Sequence, residues 1–144
     1  MNGGNPALLK LADEAAYRAH FHASYCVGTV ATFDGIRVRF RRFQFEHCCF
    51  ESSRRDGTKD QFSLVRAERL EWIRFALEDG TATRFQGWNK DKKRYENGRR
   101  VTVVCGNFVV VIALTGPATA DFITCYVADT PRTLAKIKSS PKWI

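Results

Sequence analysis

The chain has 144 residues, a net charge of +8 and 44% hydrophobic against 26% charged residues. That is one globular domain by size and composition, large enough to bury a core without disulfide staples. No N-terminal apolar run is long enough for a signal or transmembrane segment, and the longest apolar stretch, residues 108–114, has strand length. The expectation is a soluble cytoplasmic protein with no membrane partner.

The excess of Lys and Arg favours an anionic partner, because basic clusters release counterions from a phosphate backbone; solubility alone is the plainer explanation. The cysteines are Cys26, Cys48, Cys49, Cys105 and Cys125, an odd number with no C-x-x-C pair. Adjacent Cys48 and Cys49 on a strand would point to opposite faces, which suits neither a zinc knuckle nor a bridge. Reduced buried thiols, and so a reducing compartment, are expected.

Residues 7–23 predict a helix, with Leu8, Leu11, Ala12, Ala15 and Ala19 at helical spacing and His20 and His22 exposed at its end. Residues 27–33 and 36–43 flank Asp34-Gly35 as a hairpin with a primed turn. Its second arm alternates: Ile36, Val38 and Phe40 on one face, Arg37, Arg39 and Arg41 on the other. A row of guanidinium groups awaits a counter-charge, either a phosphate backbone or, on a solvated edge, water and salt. Residues 45–53 hold His47 in an apolar, strand-like stretch. Ser63 can cap a helix over 64–78 with the stripe Leu70, Ile73 and Leu77, ended by Gly80 in a left-handed conformation. Arg66 extends that stripe, so it needs a partner such as Glu46 or Glu51, or a function.

Strands follow at 83–87, 100–105, 107–114 and 120–128, with a Gly106-Asn107 turn. Thr130 and Pro131 open a last helix through about residue 138. In the final strand Ile123, Cys125 and Val127 share one face; Phe122, Thr124 and Tyr126 share the other, open face. The segment 88–100 is a basic loop with interleaved aromatics, offering Trp88, Lys90, Lys92, Tyr95 and Arg99 to nucleic acid alongside Arg37, Arg39, Arg41 and Tyr126.

Metal-free RNA cleavage needs a base for the 2′-hydroxyl proton, fixed cations at the phosphate and an acid for the leaving oxygen. His47 is a candidate base, Arg66 and Lys93 are candidate phosphate stabilisers, and Thr124 is a candidate for orienting the phosphate. A satisfied structural histidine and an ordinary cross-strand Thr and Tyr are the plain alternatives. No metal-ligand spacing and no Gly-rich phosphate loop is present, so neither metal nor cofactor is expected.

The segments Phe45-Glu46-His47-Cys48, Arg66-Ala67-Glu68-Arg69-Leu70-Glu71-Trp72-Ile73, Tyr95 with Arg99-Arg100-Val101, Phe108-Val109-Val110-Val111-Ile112 and Phe122-Ile123-Thr124-Cys125-Tyr126 carry a resemblance by their order and spacing. Between residues 32 and 143, ending in Lys136-Ile137-Lys138-Ser139-Ser140-Pro141-Lys142-Trp143, the chain resembles the phage-borne branch of the barnase–EndoU–colicin–RelE superfamily of ribonucleases. The resemblance implies an α+β fold, helices on a small twisted antiparallel sheet, and an RNase site on the exposed sheet face. It implies a toxin-like, metal-independent endoribonuclease acting on tRNA or mRNA, with an immunity or antitoxin protein as partner. Site roles carry over to His47, Arg66 and Thr124, and more weakly to Lys93 and Tyr95. A single domain, 1–144, is expected, with residues 7–43 an extension of a core spanning 45–143. The rival readings are a non-catalytic RNA- or DNA-binding module and a phage-associated protein-interaction domain.

Overall fold

In the computed structural model, which describes residues 6–52, 54, 60–80, 82–89, 93–128 and 130–139, the first helix begins later than its leucines suggest. Helix α1 is Glu14–Tyr25, and Asp13 caps it by accepting from the Ala16 N–H at 2.9 Å. Residues ahead of the cap form neither helix nor strand but are tied down: Leu9 N–H donates to Glu68 O, the Tyr17 hydroxyl donates to Leu9 O, and Trp72 Nε1 donates to Pro6 O. The buried stripe is Tyr17, Phe21 and Tyr25, spaced four apart. His20 is not exposed at a frayed end; it meets Glu71 at 2.5 Å, and His22 is half-buried.

Strands β1 (Val30–Ala31) and β2 (Arg37–Arg39) form the expected hairpin, Val30 opposite Val38. Only Gly35 has positive φ (90°), so the turn is not the primed type. Gly35 N–H donates to Thr32 O and Thr32 N–H to Ile36 O, a three-residue connection with glycine in the left-handed position. Residues expected as a strand around His47 instead form helix α2, Gln44–Cys49. Phe45, Cys48 and Cys49 recur at helical spacing, so both cysteines turn inward together rather than to opposite faces. Two short strands, β3 (Phe50–Glu51) and β4 (Gln61–Phe62), pair beyond it.

The long second helix divides into α3 (Leu64–Ala67) and α4 (Leu70–Glu78), broken at Arg69 with φ −104° and ψ 15°. Ser63 caps α3 as expected, and Leu70, Ile73, Ala76 and Leu77 are buried. The chain leaves α4 through Asp79 in extended backbone, and Gly80 does not have positive φ. Its smallness serves contact instead: a Cβ there would stand 3.3 Å from the Phe33 ring.

Strands β5 (Thr83–Asn89), β6 (Arg94–Cys105), β7 (Phe108–Gly116) and β8 (Thr119–Val127) run antiparallel in series. Much of the expected basic loop is therefore strand, with Asn89 of β5 paired to Arg94 of β6. Gly106 takes φ 63° in the two-residue link from Cys105 to Phe108, as a Gly-first turn requires. Helix α5, Pro131–Lys138, is capped by Thr130 accepting from the Thr133 N–H at 3.1 Å. The fold is α+β: a mostly antiparallel six-stranded sheet, ordered β1-β2-β8-β7-β6-β5, whose one parallel pair joins β2 to β8. One core, between the sheet and the helices, takes Tyr17, Phe21, Val38 and Phe40 from the first 43 residues together with Phe45, Leu70, Ile112 and Phe122. A smaller apolar cluster of Phe85, Val104, Val109 and Ala128 has Tyr126 and Ile137 of α5 packed against it.

Candidate nucleic-acid interface

Helical spacing that buries Phe45, Cys48 and Cys49 leaves His47 outward, where it is exposed and lies edge-on to Phe43 at 5.9 Å. Arg66, one turn into α3, faces the end of α2. Its Nε donates to Cys48 O at 3.0 Å, and its Nη2 donates to Cys125 O at 2.9 Å and, more loosely, to His47 O at 3.4 Å. The guanidinium thus caps carbonyls that α2 leaves unpaired and ties them to β8. Neither Glu46 nor Glu51 is its partner; Glu46 takes Arg18 at 2.8 Å. Below Arg66, burial pushes the Cys48 and Cys49 thiols up, so they remain protonated at neutral pH.

The four residues expected to act on phosphate do not converge. His47 meets Arg66 through its backbone carbonyl, not its ring. On β8 the register shifts between Val111–Thr124 and Ile112–Phe122, so Ile123 is the extra residue. Phe122 therefore joins Cys125 in the helix-facing core, contrary to simple alternation. Thr124 stands opposite Val111, which packs with Tyr126 on the sheet's other side. Tyr126 is half-buried there, and that burial raises its hydroxyl pKa. Lys93 lies in the β5–β6 turn with φ 52° and is exposed. Arg84 is level with Val103 and, through β7, with Cys125. Asn89, beside that turn, is roughly 17 Å further along, and its strand is roughly 14 Å across from β8. Lys90 and Lys92 lie outside the described residues, as do the side chains of Trp88, Tyr95 and Arg99, whose backbones belong to β5 and β6.

The arginine row is assembled as its alternation predicts. Val38 and Phe40 are buried, whereas Arg37 and Arg39 are exposed. Parallel pairing sets Arg37 beside Thr119 and Arg39 beside Asp121. Asp121 receives Arg41 at 3.2 Å and, more distantly, Arg39 Nε at 3.7 Å. Arg37 has no ion-pair partner among the described residues. An open groove of ≈ 420 Å³ runs here, lined by Thr29, Arg37, Arg39, Thr115, Thr119, Ala120 and Asp121. Thr115 donates its hydroxyl to Thr119 Oγ1 at 2.9 Å, and a Cβ at Gly116 would stand 2.8 Å from that same oxygen. Periodicity and motif do not mark the threonines and Asp121 in advance; their one signal is the pair of threonines flanking the Gly116-Pro117 turn.

Four further acids are ion-paired. Glu68 pairs with Lys10, Glu14 and Glu46 with Arg18, and Glu71 with His20, all on the helical side. Among the described residues no three His, Cys, Asp or Glu side chains gather as a metal-ligand set, and no helix is long and apolar enough to cross a membrane. Comparison with protein-family models, curated proteins and solved structures found no match in any of the three.

Proposed function

We propose that the protein binds RNA, with the β2 arginines and the threonine-lined groove as its phosphate contact. The observation that carries this reading is the charge imbalance at β2: Arg37, Arg39 and Arg41 gather about a single carboxylate, Asp121, beside an open groove. Guanidinium forks and hydroxyls are the groups that hold phosphate oxygens. Exposed Arg132, Lys136 and Lys138 on α5 add further cations. The arrangement of helices over a mostly antiparallel sheet also agrees in outline with the layout the ribonuclease-superfamily resemblance implies.

A second reading, cleavage of the bound RNA by 2′-hydroxyl attack, rests on His47. Its ring is exposed and has no hydrogen-bond partner among the described residues, so it is open to a ligand. Arg66 and Thr124 are drawn away from that ring, which makes binding the better-supported activity.

The test is titration of a labelled single-stranded RNA across a salt series with the wild type and Arg37→Ala/Arg39→Ala. Affinity of the wild type falls steeply with salt. The slope of the double variant is shallower by about 0.7 for each phosphate it no longer neutralises. A wild-type affinity that ignores salt sinks the reading. The same samples, held in excess EDTA with His47→Ala alongside, decide cleavage: RNA cut by the wild type alone adds catalysis, and RNA intact in both limits the protein to binding.

A further inference from the structure

Phe43 is 60% exposed, an unusual position for a phenylalanine in a chain that buries Phe21, Phe40, Phe45 and Phe122 almost completely. It is held rather than loose. It stands at the N-terminal boundary of α2, and its ring has His47 edge-on at 5.9 Å and 70°. The preceding residues are Arg41, half-exposed and turned to Asp121, and Arg42, exposed. An outward aromatic face thus follows directly on the arginine row, and the backbone between is fixed: Gln44 accepts from the Arg41 N–H and donates to Phe122 O.

Resting on the RNA-binding reading above, we infer that Phe43, backed by His47, is a base-stacking platform, and that the ligand is therefore single-stranded RNA rather than a duplex. An exposed ring offers a π-face to any unstacked base, and cations beside it track the phosphates; both are the elements of single-strand recognition. Stacked bases in a duplex have no free face to give it. His47 contributes the second ring.

The experiment measures the affinity of the wild type, Phe43→Ala, Phe43→Trp and Arg37→Ala/Arg39→Ala for one single-stranded RNA and for the same sequence as a duplex. Thermal melts confirm folding, which an exposed side chain should not disturb. The wild type prefers the single strand. Phe43→Ala loses roughly tenfold or more of that affinity, keeps its salt slope and binds duplex as before; Phe43→Trp restores the preference and its fluorescence is quenched by the RNA. If Phe43→Ala binds the single strand as tightly as the wild type while the arginine variant does not, stacking is overturned and the phosphate groove stands. If the wild type binds neither RNA, both readings fall together.

Discussion

Arg66 illustrates how a residue's chemistry is decided by what its neighbours leave unpaired. Its three contacts are all backbone carbonyls, two at the end of α2 and one on β8. Arg66→Ala leaves those acceptors without a charged donor and should cost about 1–3 kcal/mol; Arg66→Lys lacks the fork and should recover only part. His47→Ala removes an exposed ring and should stay within about 0.5 kcal/mol. Urea denaturation of the three variants checks this, and a wild-type midpoint for Arg66→Ala refutes the structural role. That Arg66 needed a partner was legible from its place in line with the Leu70 stripe. The partner was not, because carbonyl acceptors have no side-chain signature in a sequence. The pairing of Glu46 with Arg18 was hidden for another reason: the two lie twenty-eight residues apart.

Among the elements, alternation and turn chemistry carried furthest. The β1–β2 hairpin, its split into an apolar and an arginine face, the Gly106 turn and the Thr130 cap were all readable. Helix α2 was not, because a short run with Phe45, Cys48 and Cys49 fits either period until something packs on it. The extra residue at Ile123 was equally silent, yet it decides which way Phe122 and Thr124 face. The two glycines near the hairpin separate conformation from space. Gly35 holds φ 90° with open room around it, so Gly35→Ala should lose about 1–2 kcal/mol through backbone strain. Gly80→Ala meets only the edge of the half-exposed Phe33 ring, which can give way, and should lose less. Thermal melts of the two variants test the ordering, and the reverse order refutes it.

At the scale of the molecule, charge is segregated. Glu14, Glu46, Glu68 and Glu71 are paired on the helical side, while β2 and the residues just after it set three arginines against Asp121. The Glu46–Arg18 pair gives a pH signature. Burial pushes the Glu46 carboxyl up, but the Arg18 hydrogen bond and nearby positive charge together hold it below its ordinary value. A carboxyl lowered by folding stabilises the fold above its unfolded pKa of about 4.3 and loses that contribution as pH falls through the folded value. Both side chains are about a third exposed, so the effect is under about 1 kcal/mol. Glu46→Gln should therefore be less stable than wild type at pH 7 and equal to it near pH 3, measured by denaturant midpoint. A gap that persists at low pH would assign the loss to packing instead.

The parallel β2–β8 pair also sets an order of events during synthesis. Arg37 reaches its partner Thr119 only after the intervening chain has been made. At about 5–20 residues per second, that leaves the nascent hairpin waiting for roughly 4–16 s. During that interval Val38 and Phe40 lack the Ala120 and Phe122 against which they finally rest. Closing so long a loop is entropically slow, and the waiting edge is a template for a wrong strand. Its arginines repel a second copy of the same edge, so the residues proposed to meet RNA in the finished protein also guard the chain while it is being made.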